Sequence, residues 1–166
     1  MTKQRDNQKP PPSFGSVSGK LIELTMGMSL LVDAKNYLAS ARILHKKHLN
    51  TLYVPIYFLS LRSIELGFKS ILKFKEGISI IDLKNIYGHN LTTLMQQCID
   101  CKYISLSKQE IDIINDINKY YYDKHFEYTQ LIDKELYAPQ CYISISEKII
   151  KQANEITQEV GTKRFP

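Results

Sequence analysis

Two long segments with helical periodicity lie next to each other in the first half of the chain. The first begins at Leu21 and is expected to end near His48, because apolar side chains recur in it at steps of three and four: Leu24, Met28, Leu31, Ala34, Leu38 and Ala41. The second is expected to end at Glu76, where Gly77 supplies a C-terminal stop, and Pro55 falls in its first turn. Helices joined by so short a connection must pack antiparallel.

Three further helices are predicted in the second half. One runs from Asn90 to about Cys98, and the next starts at the Ser107-Lys108-Gln109-Glu110 segment, which has the spacing of a capping box. The last is expected from about Ile143 to Val160 and is ended by Gly161.

Two connecting segments show no clear period. We expect a loop from Ile78 to Tyr87, although Ile80, Ile81 and Ile86 should be buried somewhere, and an irregular stretch over residues 124–140. Sustained alternation and hairpin signals are missing from the sequence, which argues against strands. The predicted fold class is therefore all-α, an antiparallel bundle of four to five helices.

Length and composition favour one helical domain between two tails. A chain of 166 residues suits a single core. Residues 1–19 are expected to be a disordered, basic and proline-rich tail that contains Pro10-Pro11-Pro12. Residues 20–161 form the predicted domain, and residues 162–166 form a C-terminal tail.

The charge and the apolar runs limit the setting of the protein. The net charge of +5 permits binding to nucleic acid without requiring it. The longest uncharged run, Leu49 to Leu61, is shorter than the roughly 20 residues that span a bilayer, so we expect no membrane partner. The N-terminal sequence lacks an apolar run of the secretory type, and an odd number of cysteines suits a reducing compartment. A cytoplasmic location is predicted.

A polar stripe follows the second long helix at steps of three and four: Arg62, Glu65, Lys69, Lys73 and Glu76. Glu65 precedes Lys69 by four residues, the favourable order for a surface pair that contributes about 0.2–0.5 kcal/mol. One interpretation is therefore a solvated, salt-bridged face. The other is that Arg62, Glu65 and Lys69 face a groove and bind a ligand or a partner.

The segment Gly88-His89-Asn90-Leu91 opens the third helix. Glycine permits the backbone reversal, and His89 or Asn90 can bond the free N–H groups of the helix start. A structural capping histidine is one interpretation. The alternative is a neutral imidazole at the positive helix end, available for acid–base work or phosphate contact.

A third candidate site is the aromatic segment from Tyr120 to Tyr128. Its tyrosines, including Tyr121 and Tyr128, are interleaved with Lys124 and His125 and could stack on bases. They could equally plug the end of the bundle with their hydroxyls reaching water. Both interpretations stay open at this point.

These segments together resemble the HEPN family (higher eukaryotes and prokaryotes nucleotide-binding). The resemblance covers roughly residues 25–155, and it rests on the acid and base four apart in S63-I-E-L-G-F-K69 and on the Gly-His-x-Leu start of the next helix. It implies a small all-α bundle, often a homodimer, of the kind found in RNA-cleaving toxins, abortive-infection proteins and partners of nucleotidyltransferases.

Catalytic HEPN ribonucleases carry an Arg, four to six residues and then a His near the start of a late helix. This chain departs from that pattern, since it has no Arg between Arg62 and Arg164 and shows Lys124-His125-Phe126-Glu127-Tyr128 in the corresponding region. Arg42 and His48 match the spacing, but they lie on the first helix and diverge by about 120° around it.

Three functional hypotheses follow from the resemblance and its departures. The leading one is a defence or toxin–antitoxin protein that binds RNA, a nucleotide or a partner protein without efficient catalysis. The second is a metal-independent ribonuclease that uses His89 or His125, with Lys124 or Arg62 as the phosphate cation. The third is a pure interaction module for a nucleotidyltransferase or antitoxin type of partner.

Metal and cofactor motifs are weak in this sequence. Cys98-Ile99-Asp100-Cys101 has ligand spacing, with Cys141 as a third thiol, but a structural zinc site needs four ligands, commonly from two such pairs. The sequence has no phosphate-binding glycine loop, nucleophile elbow or His-Glu-x-x-His motif. We therefore predict no metal and no cofactor.

Overall fold

The computed structural model describes residues 19–48, 53–127 and 136–164, and within these ranges the chain is helical with no strand, which confirms the all-α prediction. The elements are α1 (Gly19–His48), α2 (Tyr53–Glu76), the short α3 (Ile80–Asp82), a π-helical segment (Leu83–Tyr87), α4 (Leu91–Asp100), α5 (Lys108–Tyr122) and α6 (Pro139–Arg164).

Helices α1 and α2 pack antiparallel, as their short connection predicts. The Ser63 hydroxyl on α2 donates to the carbonyl of Ala34 on α1 at 2.7 Å, and the Ser70 hydroxyl donates to the carbonyl of Gly27 at 3.1 Å. Contacts that move forward along α2 therefore move backward along α1. Hydroxyl-to-carbonyl bonds of this kind require close backbones, and small residues on the facing helix permit them.

Helix α2 is the central helix, because α6 covers a second side of it. The Ser146 hydroxyl on α6 donates to the Ser63 hydroxyl at 2.6 Å, which places one polar column through α1, α2 and α6. Nearby, a Cβ added at Gly67 would lie 2.8 Å from Cγ2 of Ile149. Burial on both sides explains why residues such as Ile64, Phe68 and Ile71 have no exposed surface.

Local sequence signals set several helix ends. Gly77 ends α2 with a φ of 69°, and its N–H donates to the carbonyl of Lys73 at 3.1 Å. Ser107 caps α5, where its hydroxyl accepts from the Glu110 N–H while the Glu110 carboxylate accepts from the Ser107 N–H. The capping box predicted from the sequence is confirmed.

The segment between α2 and α4 differs from the expected loop. It contains the α3 turn, capped by the Ser79 hydroxyl, followed by the π-helical segment. The expectation that its isoleucines are buried is wrong, since Ile80, Ile81 and Ile86 are 37%, 70% and 66% exposed. Leu83 is the buried residue that fixes the segment to the core. The isoleucine-rich sequence did not indicate that Leu83 is the side chain that faces the core.

The last helix is longer than the apolar period indicated. It begins at Pro139, where the missing N–H is tolerated in a first turn, and not near Ile143. Its backbone continues past Gly161 to Arg164, into the expected C-terminal tail. Within the described ranges, the helices lack the combination of length and apolarity that crossing a bilayer requires. Of the tail predicted for residues 1–19, residues 1–18 lie outside the described residues, and Gly19 is the first residue of α1.

Candidate functional site

Glu65 lies in the middle of α2 with no exposed surface, and four side chains meet its carboxylate. Arg62 Nη1 lies 2.8 Å from both oxygens, and Lys69 Nζ donates to Oε1 at 2.5 Å. His89 Nδ1 lies 3.0 Å from Oε2, which also accepts from the Tyr121 hydroxyl at 2.6 Å. A carboxylate is tolerated in the interior because such partners compensate its charge and occupy its acceptor sites. We call these five residues the Glu65 cluster.

The interpretation of the polar stripe as a solvated face is therefore wrong for its central part. Glu65 is fully buried, and Lys69 and Lys73 are 9% and 5% exposed. Tyr121 of α5 and the turn before α4 cover this side of α2. Periodicity on one helix does not show what packs over its polar side, and this is why the sequence left both interpretations open.

The turn after the π-helical segment carries His89 to the cluster. Gly88 has φ 51° and ψ −119°, a conformation that glycine adopts without a Cβ clash. Its carbonyl accepts from Lys69 Nζ at 2.6 Å, so one ammonium group holds both the turn and the Glu65 carboxylate. The backbone at Gly88 and the buried charge of α2 are thereby tied together.

Asn90, and not His89, caps helix α4. Its side-chain oxygen accepts from the Thr93 N–H at 3.1 Å and from Nδ2 of Asn118 at 3.1 Å. Asn118 in turn accepts from the N–H of Leu91 at 2.7 Å. Because the asparagines satisfy the helix start, the imidazole of His89 is left to contact Glu65. Asn118 could not be recognised from the sequence, since its role depends on where α5 docks.

The contacts of His89 fix its tautomer. Its Nδ1 lies 3.0 Å from the Glu65 carboxylate and 3.4 Å from Arg62 Nη1, and these two contacts require opposite states of Nδ1. Glu65 can only accept, and its contact is the shorter one, so Nδ1 carries the proton. In the neutral form of the ring Nε2 presents a lone pair, and the side chain is 40% exposed. A carboxylate that orients imidazole in this way prepares it to accept a proton or a hydrogen bond.

The charges of the cluster are mutually stabilised. Burial alone would raise the pKa of Glu65, but Lys69 and Arg62 outweigh burial and hold that pKa below its ordinary value of 4.5. Burial likewise works against the charged form of Arg62, and the Glu65 carboxylate reverses the effect and raises the pKa of the guanidinium. Burial, followed by the charge of Glu65, raises the pKa of Tyr121, which therefore remains a hydrogen-bond donor.

A pocket of about 280 Å³ opens beside the cluster, and we call it the His89 pocket. Its polar wall consists of Arg62, Lys69, Lys84 and His89, and its apolar wall includes Leu30 and Leu83. Three cationic side chains line this pocket and two of them, Arg62 and Lys69, share the buried carboxylate of Glu65, so positive charge remains for a ligand. The sequence did not reveal Lys84 as part of this wall, because the π-helical turn decides where it points.

Arg62 offers unused donors to this pocket. The contacts of Arg62 with Glu65 and His89 are made by Nη1, and the side chain is 28% exposed. Nε and Nη2 together carry three further N–H groups. They form the edge of the guanidinium that binds phosphate or carboxylate through two parallel hydrogen bonds. The buried Glu65 thus holds the guanidinium through Nη1, and Arg62 lines the His89 pocket.

A second pocket of about 460 Å³ lies between α1 and α2, and we call it the Asp33 pocket. Its lining includes Leu30, Asp33, Tyr37, Leu59, Arg62 and Leu66. Leu30, Arg62 and Leu66 also line the His89 pocket, so the two pockets adjoin. Arg62 stands at their junction.

The other predicted catalytic residues lie after α5. Lys124 is exposed and has a φ of 59°, and the Lys124 and His125 N–H groups donate to the carbonyls of Tyr121 and Tyr120. The His125 ring packs against the Tyr120 ring with centroids 5.6 Å apart. Neither Lys124 nor His125 is part of the lining of the His89 pocket. The structure brings Arg62 and His89 together there, without these two residues.

The aromatic segment serves partly as core. Phe126 is 8% exposed and packs against Tyr57 with centroids 5.9 Å apart, while Tyr121 is buried against Glu65. Tyr121 therefore offers no open ring face for a base, in contrast to Tyr122, which is 54% exposed. Tyr128, the remaining predicted ligand-binding residue, lies outside the described residues.

The cysteines and the Arg42–His48 pair contribute little to this site. Cys98 is fully buried, and burial, with Glu76 and Cys101 nearby, raises the pKa of its thiol. Within the described ranges, no three His, Cys, Asp or Glu side chains come together as a metal ion requires. Arg42 Nε donates to the carboxylate of Glu147 on α6 at 2.7 Å.

The fold and the site define an all-α protein with a buried, carboxylate-centred ion cluster beside a cationic pocket. In comparisons with known proteins, no family model, no curated protein and no solved structure matches this chain.

Proposed function

We propose that this chain is an HEPN-like helical bundle that binds a phosphate-bearing ligand, RNA or a nucleotide, in the His89 pocket without efficient catalysis. The observation that carries the proposal is the state of Arg62. Its Nη1 is held by the buried Glu65 and the side chain lines the pocket, so Nε and Nη2 are the donors that we assign to the ligand. A fixed planar fork loses little conformational entropy when it binds a phosphate.

The charges around Arg62 support the same ligand class. Lys84 is exposed and lines the pocket together with Arg62, and Lys69, whose ammonium group binds Glu65, lines it as well. An anion entering the pocket meets the positive charge of these side chains, and its approach is favoured at low ionic strength.

The absence of efficient catalysis is proposed on chemical grounds. Metal-independent cleavage of RNA needs a base for the 2′-hydroxyl and an acid for the leaving 5′-oxygen. Among the described residues that line the His89 pocket, His89 is the only imidazole. Arg62 remains protonated beside Glu65, which raises the pKa of its guanidinium, and it stabilises charge without exchanging protons.

The binding proposal is tested by a charge reversal that leaves the Glu65 cluster intact. We expect Lys84→Glu to weaken binding of a short single-stranded RNA about tenfold, since an acid replaces a cation facing the phosphate. The matched control is Lys46→Glu, at an exposed position of α1 outside both pockets. Equal affinities of the wild type and both variants, with unchanged thermal unfolding, would reject the His89 pocket as the phosphate site.

A metal-independent ribonuclease is the second candidate, and the Glu65–His89 pair favours it. With Nδ1 donating to Glu65, Nε2 can take the 2′-hydroxyl proton while O2′ bonds to phosphorus and the P–O5′ bond breaks. The leaving oxygen then needs a proton from a second group, for which Lys124 and His125 are the candidates. RNA cleavage in the presence of EDTA that is lost in His89→Ala or His125→Ala would establish this activity in place of simple binding.

The biological setting follows from the resemblance alone and belongs to the proposal. A defence or toxin–antitoxin role, a cytoplasmic location, a homodimer, and a nucleotidyltransferase or antitoxin type of partner remain predictions. The pure interaction module is the remaining alternative. It predicts stable co-purification with a partner protein and no affinity for RNA or nucleotides.

A further inference from the structure

We infer that the Asp33 pocket receives a guanine base when a phosphate of the same ligand occupies the Arg62 edge. The inference rests on the proposed phosphate site and goes beyond it by naming the base. Its starting point is the junction of the two pockets at Arg62, with Leu30 and Leu66 common to both walls. A ligand anchored at Arg62 therefore extends from the His89 pocket into the Asp33 pocket.

The two pockets differ in charge, and this difference orients the ligand. The His89 pocket carries Lys69 and Lys84, whereas Asp33 adds a carboxylate to the lining of the neighbouring pocket. A phosphate is attracted by the first pocket and repelled by Asp33. The uncharged part of the ligand is thus directed towards Asp33.

The Asp33 pocket has the size and the surfaces that a base requires. Its volume of about 460 Å³ falls in the range of small-molecule sites, roughly 300–1,000 Å³. The half-buried ring of Tyr37 offers an aromatic face, and Leu59 offers an apolar wall. Aromatic rings of this kind stack on any of the four bases. Stacking supplies affinity, and selectivity must come from the polar side chains of the lining. Asn36 and Ser40 are uncharged, and Asp33 is the one carboxylate among the residues that line this pocket.

Asp33 selects among the bases because its carboxylate can only accept hydrogen bonds. Within the described ranges its carboxylate makes no hydrogen bond or ion pair, and an ionised carboxylate is an acceptor only. Guanine presents two adjacent donors, N1–H and the N2 amino group, which match the two carboxylate oxygens. Adenine, cytosine and uracil each place an acceptor beside the donor on that edge, and the acceptor would face the negative charge. Guanine is therefore the base that Asp33 favours.

The experiment compares GMP, AMP, CMP and UMP as ligands of the full chain by titration calorimetry or NMR. We expect GMP to bind about 10- to 100-fold more tightly than the other three, the range that a two-point contact gives. In Asp33→Asn this preference should fall to within about threefold, while all four nucleotides still bind through Arg62. The matched control is Asp112→Asn, which makes the same charge change on an exposed position of α5 outside both pockets.

The outcomes separate the inference from the proposed function. Equal binding of the four nucleotides by the wild type, weakened by Lys84→Glu, would overturn the guanine assignment and leave the phosphate site standing. Failure of every nucleotide and RNA to bind would reject both. A second arm uses an oligoadenylate with or without one guanosine, and it distinguishes a free nucleotide from an RNA as the source of the base. In either arm, a gain in affinity that depends on guanosine and is lost in Asp33→Asn supports the inference.

Discussion

Oε2 of Glu65 lies 3.0 Å from Nδ1 of His89, although 24 positions separate the two residues in the chain. The contact joins the middle of the central helix to the turn that opens α4. Lys69 reinforces it by binding Glu65 and the carbonyl of Gly88 at the same time. Stability of the bundle and orientation of the pocket are therefore carried by the same buried charges.

Removing the Tyr121 hydroxyl should weaken the cluster without opening the core. In Tyr121→Phe the Glu65 carboxylate loses a 2.6 Å donor, and bonds to charged groups contribute about 1.5–3 kcal/mol. We expect a loss of that size in the free energy of unfolding, measured by urea denaturation. Tyr122→Phe is the matched control, because Tyr122 is 54% exposed, and its effect should stay within about 0.5 kcal/mol. Equal stabilities of the two variants would contradict the buried contact.

The Glu65 cluster should make stability depend on acid. The pKa of Glu65 in the folded protein lies below its ordinary value of 4.5, so the unfolded state binds more protons than the folded state in this range. The contribution is therefore fully present above about pH 4.5, and it is lost as the pH falls through the folded-state pKa.

Comparison with Glu65→Gln isolates this effect from other acids such as Glu110. At neutral pH the substitution should cost about 3–5 kcal/mol, since it leaves Arg62 and Lys69 without their carboxylate. The difference between the wild type and Glu65→Gln in urea should shrink as the pH falls below 4.5. A difference that stays constant down to strongly acid pH would show that Glu65 is not held ionised. Glu155→Gln, at an exposed position of α6, serves as the control.

The close approach of α2 and α6 should make Gly67 sensitive to a single methyl group. A Cβ at this position would lie 2.8 Å from Cγ2 of Ile149, so Gly67→Ala should destabilise the protein by about 1–3 kcal/mol. A double-mutant cycle provides the test. Ile149→Ala removes the opposing carbon, and the double variant should lose less than the two single variants together. Strict additivity would mean that the helices are not in contact at this point.

The thiols should differ sharply in reactivity. Cys98 is buried and burial raises the pKa of its thiol, whereas Cys101 is exposed. We expect an aromatic disulfide reagent to modify Cys101 in the native protein and to leave Cys98 unmodified until urea unfolds the chain. Mass spectrometry of the peptides identifies the sites. Rapid modification of Cys98 under native conditions would contradict its burial.

The sequence predicted the parts of this structure that depend on local patterns. The antiparallel α1–α2 pair, the stop at Gly77 and the capping box at Ser107 each follow from residues within a few positions of one another. The π-helical segment and the exposure of Ile81 and Ile86 were not predicted, because they depend on how the segment docks against the core.

The sequence predicted most residues of the site, but it did not predict how they are arranged. Arg62, Glu65, Lys69 and His89 were marked by spacing and by resemblance, yet their burial around one carboxylate became visible only with α5 in place. No sequence signal marked Asn118, Lys84 or Asp33. The partners of Asn118 lie 27 or more positions away in the chain, and the surroundings of Lys84 and Asp33 depend on how the helices dock.

The central claim is that Glu65 holds Arg62 so that its free edge binds phosphate, and substitution of Arg62 by lysine tests it most directly. Arg62→Lys retains the charge beside Glu65 but removes the planar fork, so binding of RNA or a nucleotide should weaken about 10- to 100-fold while the fold is retained. Arg42→Lys, which changes an exposed arginine paired with Glu147, should bind as the wild type does. Undiminished binding by Arg62→Lys would contradict the account.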